Sequence, residues 1–118
     1  MIYALNPSVV LTGKPYLNFI NSLKSKHTKK EYRKRLINFL SYNEVSIESV
    51  LTIPVKDIEQ LITQYLTNLN AKSLSYGYIN QVMSAIFHFF EMNDIVLNKR
   101  KISKFLGERK KANKDRAY

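Results

Sequence analysis

Hydrophobic residues recur along this chain at intervals of three and four, the spacing of one face of an α-helix. The clearest stripe is Tyr32, Leu36, Phe39 and Leu40. Ser25 suits the cap of that helix, with Thr28 three residues on; Thr28 and Glu31 form a second capping pair, so its start is open by one turn. It ends near Tyr42 and Asn43. Upstream, Pro15 suits the first turn of a short helix whose apolar side is Tyr16, Leu17, Phe19, Ile20 and Leu23. Met1 to Gly13 has no helical period and is expected to be an extended arm. Downstream, a loop from Glu44 to Ile53 carries Val45, Ile47, Val50 and Leu51, apolar enough to pack down. Pro54 opens a third helix lined by Ile58, Leu61, Ile62, Tyr65, Leu66 and Leu69, and Asn70 to Lys72 make the next turn. A fourth helix is predicted from about Ser73 to Asn93. It is apolar nearly all round, which places it at the centre of a bundle. Asn98 caps a short fifth helix that ends at Leu106, and Gly107 fits the position just past a helix end. Glu108 to Tyr118 is polar, aperiodic and lysine-rich, as a linker or tail would be.

The pattern therefore predicts an all-α, compact bundle of four to five helices. An arm over 1–13, a folded domain over 14–106 and a basic linker over 107–118 complete the organisation. The length of 118 residues suits one domain, and only three glycines and three prolines interrupt it. The chain has no cysteine, which excludes disulfides, cysteine-type zinc fingers and thiol catalysis. No apolar run approaches the roughly 18 residues of a membrane span. Met1 to Leu11 has no basic residue ahead of its apolar stretch, so it makes a poor signal peptide. The expectation is a soluble, intracellular protein with no membrane partner.

Charge narrows the class of partner. Nineteen Lys and Arg oppose nine Asp and Glu, a formal net charge of +10. Such an excess on a small domain draws polyanions, nucleic acid foremost. On the second helix Lys26, Lys29, Lys30, Arg33 and Lys34 fall at i, i+3, i+4, i+7 and i+8, away from the hydrophobic stripe. Like charges at i, i+4 weaken a helix by a few tenths of a kcal/mol per pair. The strip is either a solvated face or a surface that meets phosphates, whose attraction is strong and salt-dependent. On the fourth helix Ser75, Tyr78, Gln81, Ser84 and His88 share one sector, opposite Ile79, Met83, Ile86 and Phe90. Uncharged hydrogen-bonding side chains suit base edges and sugar-phosphate oxygens, Gln being suited to adenine. The same sector would also serve to pack on a neighbouring helix, its hydroxyls bonded back to the backbone. With two histidines, no cysteine and no acidic residue at ligand spacing, neither a metal site nor a cofactor is expected. The carboxylates are dispersed and no glycine-rich phosphate loop is present, so no catalytic residue is assigned.

The run from Ser25 to Phe39, SKHTKKEYRKRLINF, resembles the second helix of the core-binding domain of tyrosine recombinases, the phage and archaeal integrases. IEQLI at 58–62 and LSYGYINQVMSAIFHFFEMND at 74–94 extend the resemblance, which covers Lys14 to Leu106. It implies a four- to five-helix, SAM-like bundle arching over one side of duplex DNA, with the second and fourth helices in or beside the major groove. By position that role falls on His27, Thr28, Lys30 and Lys34, and on Tyr78, Gln81 and Ser84. Position 78 is often a small hydroxyl residue in relatives, so Tyr78 would reach further or be turned aside. The family's catalytic apparatus, two arginines, a lysine, histidines and a tyrosine nucleophile, belongs to a second domain, and none of it maps here. Tyr118 stands without the arginines and histidine that would activate it. Residues 108–118 resemble the interdomain linker, whose Lys110 and Lys111 join the expected DNA contacts. The chain is then a segment cut at that linker or a naturally short relative. Its implied partners are double-stranded DNA, the catalytic domain of the same parent and neighbouring protomers on DNA.

Two other classes fit the composition. A transcription regulator of helix-turn-helix type needs two short helices around a tight turn. Asn70 to Lys72 is the one candidate turn, and it joins two long helices. A basic bundle that binds acidic proteins or membrane surfaces needs only the charge.

Overall fold

The computed structural model describes residues 11–107, and every regular element among them is helical. In chain order these are α1 (Gly13–Ile20), α2 (Lys26–Tyr42), α3 (Ile47–Val50), α4 (Val55–Ala71), α5 (Tyr76–Glu91) and α6 (Lys99–Ser103). A 3₁₀ turn, Lys104–Leu106, follows α6 directly. The third, fourth and fifth helices of the hydrophobic pattern are thus α4, α5 and α6. Residues 1–10 and the tail from 108, with Lys110, Lys111 and Tyr118, lie outside the described residues.

Caps decide most boundaries. Ser25 Oγ accepts the Thr28 N–H at 3.2 Å, which selects the earlier of the two possible starts for α2. In the segment expected to be a loop, Ser46 and Ser49 exchange side-chain-to-backbone bonds of 2.9 and 3.0 Å and set up the single turn of α3. Its Ile47 and Val50 are fully buried. Asn98 caps α6 by accepting the Lys101 N–H at 3.1 Å. Three expected boundaries shift. The first helix starts at Gly13 rather than after Pro15. α5 starts at Tyr76 rather than near Ser73, because Ser73 has a left-handed φ of 62° that ends the preceding helix. Its other end comes at Glu91, and Asp94, with φ 63°, turns the chain so that the Ile95 N–H reaches the Phe90 carbonyl at 2.9 Å.

α5 is the central element. Ile79, Ile86, Phe89 and Phe90 are wholly buried, and α1, α2, α4 and the 3₁₀ turn all pack against it. α2 contributes Leu36, Phe39 and Leu40, and α4 contributes Ile58, Ile62, Tyr65, Leu66 and Leu69. Aromatic edges knit these layers: Phe39 meets Phe90 and Tyr65 in T-shaped contacts at 6.4 and 5.4 Å. α1 closes one end of the bundle through Phe19 and a polar clasp. Asn93 donates to the carbonyls of Pro15 and Phe89 at 3.1 and 2.9 Å and accepts from Asn18 at 3.1 Å.

α6 and the 3₁₀ turn cover α4 with Ile102 and Leu106. Asn70 at the end of α4 donates to the Phe105 carbonyl at 2.8 Å. Gly107 follows with φ 91°, and a Cβ there would run into the Asn70 side chain. Gly107→Ala is therefore expected to lower stability by about 1–3 kcal/mol through strain and disruption of that bond, read as a lower urea midpoint at unchanged m-value.

Candidate nucleic-acid interface

α2 presents two different polar faces. Lys26, Lys30, Arg33 and Lys34 are exposed along one of them. Lys29, grouped with them by spacing, is half-covered, since it falls beside the buried Leu36–Leu40 stripe. The other polar face looks toward α5 across a groove of about 480 Å³, lined by His27, Thr28, Glu31, Tyr32 and Arg35 of α2 and by Gln81 and Ser84 of α5. The basic ridge and the groove run side by side along the same helix.

Arg35 organises the groove, although the spacing of like charges on α2 does not single it out. Its side chain is only 11% exposed. One guanidinium nitrogen donates to Gln81 Oε1 at 3.1 Å and lies 3.5 Å from Glu31. The guanidinium sits 5.8 Å from the centre of the Tyr78 ring, a cation–π contact. Arg35 Nε is buried and meets no acceptor among the described residues. Glu31 also approaches Lys34 at 3.8 Å, so the single acid of this helix damps one ridge cation and one groove cation. No spacing rule on α2 alone could have found Arg35, because its partners lie on α5.

The polar sector of α5 divides in two. Its N-terminal half is open: Gly77, Tyr78, Asn80 and Gln81 are exposed, and around Gly77 nothing lies within 4 Å of where a Cβ would stand. Its C-terminal half is covered by α1, which packs on α5. The residues 14–93 match the family model of the phage integrase N-terminal SAM-like domain. The chain belongs to that family. Comparison with curated proteins and with solved structures gives no match. The helical bundle is the fold that the resemblance implies, and the family is the one indicated by SKHTKKEYRKRLINF and the residues of α5. The matched domain is the N-terminal, non-catalytic part of integrases.

Besides Gln81, held by Arg35, three further expected contact residues of this integrase domain are engaged internally. Ser75 Oγ caps α5 by accepting the Tyr78 N–H at 3.1 Å, and Ser84 Oγ donates back to the Asn80 carbonyl at 3.0 Å. Tyr78 is 38% exposed and turned over Arg35, the alternative left open for a large residue at this position. His88 does not belong to the open sector at all. It lies against Phe19 and Tyr32, with ring centres 5.8 Å from each, and its Nε2 is 2.6 Å from Ser22 Oγ. Periodicity on α5 could not reveal this, because the cover comes from a helix some seventy residues earlier in the chain. The Ser22 hydroxyl also donates to the Phe19 carbonyl at 2.8 Å, so its oxygen is left to accept a hydrogen bond from the His88 Nε2–H.

Burial holds the His88 imidazole below its ordinary value, with Lys99 adding to the effect and Glu91 opposing it. A base whose folded value is depressed takes up fewer protons folded than unfolded. Its contribution to stability is therefore complete above about pH 6.5 and is lost as pH falls below that. The urea midpoint is expected to drop between pH 7.5 and 5.5, and to drop less in His88→Gln. An equal drop in both proteins would show that His88 is not the group responsible.

A second cationic cluster, also unforeseen, lies on and after α6: Arg100, Lys101 and Lys104 are exposed, while Lys99 bonds Glu91 at 3.2 Å and leans over Phe87. Among the described residues no three His, Asp or Glu side chains gather as a metal site would require. Nor, among them, is any helix long and apolar enough to cross a membrane.

Proposed function

We propose that this chain is the DNA-binding, core-binding domain of a site-specific tyrosine recombinase, clamping duplex DNA for recombination and integration and carrying none of the catalytic residues. The observation that carries this reading is the pairing of surfaces on α2 and α5. A ridge of exposed Lys26, Lys30, Arg33 and Lys34 runs beside an uncharged open face with Gln81 at its edge. Ammonium and guanidinium groups hold phosphates without regard to sequence, and amides read base edges. A major groove about 12 Å wide admits one helix. The open half of α5 enters it while the ridge of α2 follows the flanking phosphates, with His27 and Thr28 at the groove mouth. Tyr78 and Ser84 border the same contact. Ser75 serves first as a cap, and Lys29 contributes from the edge of the core. In this reading residues 14–106 form the domain, 1–13 the arm and 107–118 a basic linker, whose Lys110 and Lys111 approach DNA on the way to a catalytic domain of the same parent. Neighbouring protomers on the DNA are further partners, and the working compartment is the cytoplasm of a prokaryotic or virus-infected cell.

Titration of duplex DNA, single-stranded DNA and RNA at two salt concentrations tests this. Duplex is expected to bind most tightly, with an affinity that falls steeply as salt rises. Equal binding of all three nucleic acids, or none, would remove the reading. The chain alone is expected neither to cleave nor to relax supercoiled DNA, and Tyr118→Phe to change nothing. A covalent protein–DNA adduct through Tyr118 would overturn the assignment of the tail as a linker.

A further inference from the structure

We infer that Arg35 is a positioning residue that restricts what Gln81 can read, so that α5 selects keto-bearing bases, guanine or thymine, over amino-bearing adenine or cytosine. The inference rests on the proposed entry of α5 into the major groove and goes beyond it by assigning the hydrogen-bonding polarity of the contact.

Arginine has donors only and keeps its charge at any physiological pH. Its partner on Gln81 must therefore be the amide oxygen, and that is the atom found, 3.1 Å away. Arg35 is not free to swing off. Its side chain is 11% exposed, Glu31 on its own helix approaches the guanidinium at 3.5 Å and the centre of the Tyr78 ring lies 5.8 Å from it. With Oε1 turned into the groove, the planar amide directs its N–H₂ group the other way, outward from the exposed Gln81. The neighbouring positive charge polarises the carbonyl and strengthens those N–H donors.

This arrangement conflicts with the usual pairing of glutamine and adenine. That contact needs both amide atoms aimed at one base edge, the oxygen accepting from N6–H and the nitrogen donating to N7. A Gln81 that offers donors alone fits the O6 and N7 of guanine or the O4 of thymine. At adenine it can still donate to N7 but meets the adjacent N6 amino group with donor against donor, so guanine with its two acceptors is favoured; at cytosine it meets only the N4 amino group. Glu31 strengthens the restriction, since the carboxylate already lies 3.5 Å from the same guanidinium nitrogen that bonds Gln81, and Arg35 need not leave the groove to find one.

The test is selection of bound duplexes from a randomised pool by the full chain, followed by competition binding with single-base variants of the selected site. The wild-type chain is expected to prefer a keto base at one position by roughly ten-fold, and Gln81→Ala to lose that preference. Arg35→Met frees the amide, and adenine is expected to become accepted at the same position. Gln81→Glu keeps a partner for Arg35 but presents an acceptor outward, so its preference is expected to move to cytosine or adenine. Circular dichroism confirms that each variant is folded; if Arg35→Met is not, the Gln81→Glu shift decides alone. Adenine preferred by the wild-type chain and unchanged in Arg35→Met overturns the inference. So does duplex binding without base preference, which leaves the proposed DNA binding standing. Failure of the wild-type chain to bind duplex at all removes both.

Discussion

Phe90→Ala is expected to cost this domain about 3–5 kcal/mol, the penalty usual for a large aromatic deleted from a core. Phe90 is fully buried on the central helix, and its ring is met edge-on by Phe39 of α2 at 6.4 Å and by Phe89 at 5.1 Å. Removal of the ring takes away its transfer free energy and leaves a void that the surrounding rings cannot fill without leaving their rotamers. Folded domains retain only about 5–15 kcal/mol of net stability, so the variant should lie close to unfolding at ordinary temperature. The measurement is a urea titration followed by circular dichroism. A midpoint that hardly moves would mean that Phe90 does not join α2 to α5.

Replacing Lys26, Lys30, Arg33 and Lys34 together by alanine is expected to abolish most duplex binding while leaving the fold intact or slightly firmer. Each phosphate deprived of its cation should make the log–log dependence of affinity on salt shallower by about 0.9, hence by about 3.6 if all four side chains touch phosphates. These residues sit exposed and three or four apart, so they repel one another in the free protein. Alanine removes that repulsion and is the better helix former. Affinity and thermal midpoint should consequently move in opposite directions, which no general failure of folding can imitate. Gln81→Ala provides the contrast: about 1–3 kcal/mol on the preferred site, and little change on scrambled duplex. If the fourfold variant binds as the wild type does, the ridge is a solvated surface and the DNA-facing assignment of α2 fails.

The parts of this structure legible in the sequence are those in which one helix supplies all the information. The stripe Tyr32–Leu36–Phe39–Leu40 and the apolar wrap of α5 announce burial because hydrophobic spacing along one helix is enough to decide it. Ser25 and Asn98 announce caps for the same reason. What stays hidden depends on two elements meeting. Arg35 falls outside the basic strip and draws no attention until α5 is placed against it, and His88 reads as a polar surface residue until α1 covers it. α3 escapes notice because a single helical turn has too few residues to show a period. Its signal is the reciprocal pair Ser46 and Ser49, inside a segment whose apolar residues explain themselves as packing. α5 starts three residues later than its pattern suggests because nothing in a serine reveals that its backbone will be left-handed.

The clasp at Asn93 bears on how this domain opens. Its bonds to Pro15 and Asn18 join positions 78 and 75 residues apart, and the Ser22–His88 bond spans 66. α1 has eight residues, too few to persist as a helix on its own. It can dock only after α2 and α5 have come together, and the entropy of closing so long a loop must be recovered at that last step. By the same logic it should be the first element to detach, exposing its amides to exchange while those of α5 stay protected. Detachment would uncover Phe19, Tyr32 and His88 together, and the freed imidazole would take up a proton more readily than the docked one. Mild acid should therefore loosen the first helix selectively, producing a partly open domain whose α2–α5 groove is still assembled.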